Sequence, residues 1–79
     1  LRDTKHSVVP NPATHDVQLP EMKTNDRLYV YSANGELMLI HPPSNGRHID
    51  VASWSPGRYF FRFVNAANQT TYTEPVIIH

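Results

Sequence analysis

Apolar residues along this chain recur at every second position, and proline, glycine or asparagine interrupts them about every 8–12 residues, a pattern of short antiparallel strands rather than helices. Arg27-Leu28-Tyr29-Val30-Tyr31-Ser32 shows it most cleanly, with Leu28 and Val30 on one face and Tyr29 and Tyr31 on the other. The same period predicts strands at His6–Val9, Asp16–Leu19, Leu37–His41, Arg47–Val51, Arg58–Val64 and Thr70–His79, and hence an all-β fold, a small antiparallel sandwich. Pro10-Asn11-Pro12 ends the first strand, Pro20 the second, and Pro42 to Gly46 breaks the chain after the fourth. Asn34-Gly35 predicts a type I′ hairpin turn, and Pro56-Gly57 fits the central pair of a type II turn. Pro75 within the last strand places it at a sheet edge.

The face of the Arg58–Val64 strand follows from cost. Tyr59, Phe61 and Phe63 share one side; Arg58, Phe60, Arg62 and Val64 share the other. Burying the second side would bury two arginines, so the first is assigned inward. The expected core is Val8 or Val9 with Leu28, Val30, Ile49, Val51, Tyr59, Phe61 and Phe63, and Trp54 plugs one end.

Composition narrows the function. With 79 residues the chain is one small domain, and seven Lys plus Arg against seven Asp plus Glu give no net charge, which points away from nucleic acid. No cysteine is present, so disulfides, thiolate zinc sites and thiol catalysis are excluded. No apolar run approaches the ~20 residues of a membrane-spanning helix. Leu1 opens the chain without an initiator Met or signal-peptide core, which reads as a piece cut from a longer protein.

Against that background the ordered series Pro10-Asn11-Pro12-Ala13-Thr14, Val30 to Gly35, Ile49-Asp50-Val51, and Trp54 through Pro56-Gly57-Arg58-Tyr59, followed by a terminal apolar strand, resembles the C-terminal sorting domain of the type IX (Por) secretion system. The resemblance covers about Val8 to His79 and implies a seven-stranded Ig-like sandwich at the C-terminus of a cargo protein. It implies translocon components of Bacteroidetes-type bacteria as partners, passage through the periplasm to the cell surface, a surface sortase that removes the domain, and attachment of the cargo to anionic lipopolysaccharide. Pro10, Asn11, Pro12, Asn34, Gly35, Pro56, Gly57 and Tyr59 are then chiefly fold residues. One departure stands out: family members often end in a lysine-rich strand, whereas Thr73 to His79 holds no Lys and carries Glu74 and Pro75. A domain retained uncleaved as a docking module fits that departure.

Two surfaces are candidate partner sites. The family's recognition is associated with its extreme C-terminus, which singles out Glu74, Val76, Ile77, Ile78 and His79. Val76-Ile77-Ile78 lacks alternation, so either one of the three lies outward or the strand leaves the sheet edge to meet a partner. Replacing His79, or reversing Glu74 to Lys, is expected to leave stability almost unchanged. The second surface is Arg58, Phe60 and Arg62, next to Tyr29 and Tyr31 if those strands pair, where guanidinium groups and rings suit a protein partner or an anionic glycan. A plain solvated sheet face explains the same residues. An Ig-like adhesion or carbohydrate-binding appendage is the alternative function, on the same sandwich and aromatic face.

No enzyme, metal or cofactor is indicated. His6, His15, His41, His48 and His79 have no ligand spacing and read as surface histidines, and His15 and Asp16 point to opposite strand faces. Ser53 or Ser55 with His48 and Asp50 lacks an oxyanion hole and a nucleophile elbow. Asn68-Gln69-Thr70 matches a glycosylation sequon but sits where a turn favours asparagine.

Overall fold

The alternation of Arg27 to Ser32 is realised as a strand in the middle of a four-stranded antiparallel sheet. The structure, a computed structural model, describes residues 8–10, 12–67 and 69–79. Among these, six strands follow in order: β1 (Asp16–Gln18), β2 (Arg27–Ser32), β3 (Leu37–His41), β4 (His48–Asp50), β5 (Gly57–Asn65) and β6 (Thr70–Ile78). The larger sheet has the order β3-β2-β5-β6, and β1 pairs with β4 in the smaller one. The only helical turn among the described residues is a short 3₁₀ segment, Pro43–Asn45. β2 and β3 coincide with their sequence-based bounds, and the other strands agree within a residue or two at each end.

The first strand expected from sequence, His6–Val9, lies partly outside the described residues. Of its described part, Val9 bridges Gln18 of β1 in antiparallel fashion. Farther on, Ala13 bridges Ile78 in parallel, so the leading segment touches both sheets in turn. The Val9–Pro10 peptide is cis, and Pro10 and Pro12 are exposed.

The inner faces of both sheets meet in one core containing Val8, Val17, Leu19, Leu28, Val30, Ile49, Val51, Tyr59, Phe61, Phe63, Val76 and Ile78. Sequence left open Val8 or Val9; Val8 is buried and Val9 exposed. Register explains the membership: Leu28 stands opposite Phe63, Val30 opposite Phe61, and Tyr59 opposite Val76, so one face carries the apolar set across three strands. Trp54 is half-buried against this core, its ring 5.1 Å from Tyr59 and 6.4 Å from Phe61 between centroids, and closes one end as expected. The corner that brings it there is held by the Trp54 N–H donating to Val51 O and the Ala52 N–H donating to Asp50 Oδ1. The Tyr59 hydroxyl donates to Ser55 O at 2.6 Å, which satisfies the polar tip of an otherwise buried ring.

Both turn assignments need correction. In the β2–β3 hairpin only Gly35 has positive φ, +88°, whereas a type I′ turn needs it at Asn34 as well. The Gly35 N–H donates to Ser32 O and the Ser32 N–H to Glu36 O, so a three-residue loop closes the hairpin with glycine alone in the left-handed region. A register shift then opposes Tyr31 to Leu37 and leaves Met38 as the extra residue. Gly57 opens β5 at φ +153°, far from the roughly +80° of a type II turn but in a region open in practice only to glycine.

Candidate functional site

The last strand alternates through its end. Val76 and Ile78 point inward and are buried, Ile77 lies outward and half-buried, and His79 is exposed. Of the arrangements the sequence allowed, which include an edge strand buried on both faces, one residue turned outward is the one adopted. β6 stays paired with β5 from Gly57↔Ile78 to Asn65↔Thr70. On its other edge the Ala13 N–H donates to Ile77 O at 2.9 Å and the His79 N–H to Ala13 O at 2.8 Å. The C-terminal end of β6 is thus held on both sides, while the stretch around Pro75 is on the sheet edge, as proline requires.

Glu74 belongs to the inner set, two positions before Val76 and opposite Phe61. Its carboxylate accepts the Val8 N–H, at 3.1 Å to Oε1 and 3.3 Å to Oε2, and so ties the leading segment to the last strand. This corrects the expectation that Glu74→Lys would leave stability untouched, since the exchange removes the acceptor of that N–H. Burial raises the Glu74 pKa above its ordinary 4.5, with the Val8 hydrogen bond pulling the other way. A carboxyl whose pKa is raised by folding adds stability while protonated, and that stability is lost as pH rises through the folded pKa, here above 4.5. In Glu74→Gln the side-chain amide oxygen still accepts from Val8, but the group cannot ionise. Denaturant midpoints of parent and Glu74→Gln, compared from acid to neutral pH, are therefore expected to diverge in favour of the variant as pH rises; a constant difference would contradict the burial of the charge.

The second candidate surface is assembled as the sequence implied. β2 pairs with β5 so that Tyr29 stands opposite Arg62 and Tyr31 opposite Phe60. Arg58 and Arg62 are exposed and flank the half-buried Phe60 on the outer face of the larger sheet. Beyond β2 the face continues onto β3, with Ile40 opposite Tyr29 and Leu37 opposite Tyr31. Leu37, Met38 and Ile40 keep 51%, 45% and 51% of their surface exposed.

Three polar placements escaped the sequence. Asp26, in a stretch read as plain loop, is buried and accepts the Lys23 N–H on Oδ2 and the Ala66 N–H on Oδ1, fastening the β1–β2 connection to the β5–β6 turn. His41 is buried, contrary to its reading as a surface histidine, and its Nε2 lies 2.8 Å from Gly46 O. It ends β3 on the inner side opposite Leu28. Charge is also segregated: the outward positions of β1 and β4 are Asp16, Gln18, His48 and Asp50, whereas those of β2, β5 and β6 include three arginines and no acid. A net charge of zero hides this division.

His48 Nδ1 meets Asp16 Oδ2 at 3.2 Å on the exposed face of the smaller sheet, and Asp50 accepts a backbone N–H. Among the described residues no group of three His, Asp or Glu could hold a metal ion, and no helix is long and apolar enough to cross a membrane. His6, Asn11 and Asn68 lie outside the described residues.

The family model described as "secretion system C-terminal sorting domain" matches residues 7–79. No curated protein matches. A solved structure of PorZ from Porphyromonas gingivalis, titled an essential bacterial surface component of the type IX secretion system, superposes with a TM-score of 0.72 at 12% identity. The superposition covers 92% of this chain and 11% of the PorZ chain, and at that identity it shows a shared fold.

Proposed function

Because the chain belongs to the C-terminal sorting domains of the type IX secretion system, a family of targeting signals and not of enzymes, we propose that it directs the protein attached to it through that system's translocon to the cell surface. The observation that carries this is the family match over residues 7–79, almost the whole chain. Passage runs through the periplasm, and the translocon reads the end of β6: Glu74, Val76, Ile77, Ile78 and His79. The sandwich is Ig-like, a reading favoured by the leading segment that meets first one sheet at Val9 and then the other at Ala13. The absence of Lys from Thr73 to His79 favours a domain retained on its cargo over one that a sortase exchanges for anionic lipopolysaccharide.

His79 separates recognition from folding, because its side chain is exposed while its backbone N–H makes the bond to Ala13. In a fusion of the chain to a periplasmic reporter, His79→Ala is expected to change folding stability by less than about 0.5 kcal/mol and to lower surface export. Equal export of parent and variant would mean that the terminal side chain is not read.

A further inference from the structure

The outer face of the larger sheet has a graded chemistry. Along one row Ile40, Tyr29 and Arg62 stand side by side on β3, β2 and β5. Strand spacing puts the first and last about 10 Å apart. Along the next row stand Leu37, Tyr31 and Phe60. The face therefore runs from exposed aliphatic side chains, across aromatic ones, to the guanidinium groups of Arg58 and Arg62. Neither guanidinium group has an ion-pair or hydrogen-bond partner among the described residues. β3 itself pairs only with β2 among the described residues, and holds no charged residue or proline from Leu37 to Ile40, the usual guards of a free edge.

We propose that this face docks an acidic, extended polypeptide segment of a partner protein, lying across β3, β2 and β5 with an apolar side chain on Ile40 and Leu37 and a carboxylate on Arg62 or Arg58. The spacing sets the partner's pattern: at about 3.3 Å per extended residue, with only every second side chain facing the sheet, the carboxylate stands four positions from the apolar residue, the first even spacing that reaches across the row. Charge complementarity selects an acidic partner, since the outward positions of β2, β5 and β6 carry Arg27, Arg58 and Arg62 and no acid. The aliphatic end selects a polypeptide over an anionic glycan, because Leu37, Met38 and Ile40 gain by covering with apolar side chains and not with hydroxyl groups. Two copies stacked through this face would oppose arginine to arginine. Among the described residues, the acidic outer face of the smaller sheet offers a second copy only one large apolar side chain, Val9. The docking is independent of how the end of β6 is read, so it can fail while sorting stands.

The test titrates the ¹⁵N-labelled 79-residue chain with a synthetic peptide carrying Leu and Glu at that spacing, with its Lys counterpart, and with dextran sulfate as a sugar polyanion. Shifts confined to β2, β3 and β5 with the Glu peptide alone, weakened about tenfold or more by Arg58→Glu with Arg62→Glu and by raising salt, are the expected result. Ile40→Ser should weaken the Glu peptide while leaving the folded spectrum intact, and it serves as the second variant if the double reversal unfolds the chain. Equal binding of dextran sulfate would overturn the proposal in favour of a general polyanion site. Shifts that grow with protein concentration alone would overturn it in favour of self-association, and an unresponsive face would return it to plain solvated sheet.

Discussion

Phe61→Ala is expected to cost about 3–5 kcal/mol, a large share of the total stability of a domain this small and without disulfides. Phe61 is fully buried in the middle of β5, opposite Val30 on one side and Glu74 on the other, with Trp54 against its ring. Truncation leaves a cavity bordered by two sheets, and their strand pairing prevents either from moving in to fill it. Phe61→Leu keeps most of the volume and should cost less than about 1.5 kcal/mol. Urea denaturation of the three proteins checks the order. A Phe61→Ala midpoint close to the parent's would mean that the Tyr59-Phe61-Phe63 face is not the packed one.

Asp26→Ala is the second large effect, expected at about 2–3 kcal/mol, because one buried carboxylate accepts two backbone N–H groups and both lose their partner together. For a domain of this size that is a fall in Tm of about 10–20 °C. The two bonds join residues far apart in sequence, Lys23 before β2 and Ala66 after β5, so the loss should free the β5–β6 turn as well as the loop at residues 23–26. Asp26→Asn retains one acceptor oxygen and presents an amine where the other stood, and it should fall between parent and Ala. Amide hydrogen exchange at Lys23 and Ala66 gives the direct readout: unchanged protection at both in Asp26→Ala would contradict the staple.

The contrast between these two residues shows what a single sequence discloses. Phe61 was legible because period-two spacing and the cost of burying Arg58 and Arg62 leave one choice of face. The bounds of β2 and β3 were legible because a glycine turn joins an alternating run to a continuous apolar one. Asp26 was not, because its partners are backbone groups brought near by the tertiary fold, and the loop's polar composition describes equally well a carboxylate in water. Glu74 is intermediate: counting back by two from Ile78 and Val76 reaches it, so the alternation carried the signal for its inward position. His41 stands opposite Leu28, where counting from the hairpin places it, but a histidine at a strand end reads as solvated, so its burial was missed. The charged faces could be assigned only once strand pairing showed which residues share a side.

The site divides in the same way. The outer patch of Arg58, Phe60 and Arg62 follows from alternation, and its extension through Tyr29 and Tyr31 from the pairing of β2 with β5. The hold on the last strand did not follow, because Ala13 pairs in parallel with a residue at the opposite end of the chain. That clasp gives the terminal strand fixed neighbours on both edges where it carries Ile77 and Ile78. The signal proposed at the end of β6 is thereby presented as part of a folded surface.

The central claim, that this chain is a sorting module, is tested most directly by fusing all 79 residues to a reporter that otherwise remains in the periplasm of a type IX secreting bacterium. Surface labelling is then compared between the secreting strain and one lacking the translocon. Reporter is expected on the surface of the first and in the periplasm of the second. Reporter kept in the periplasm of both, or displayed by both, would contradict the claim.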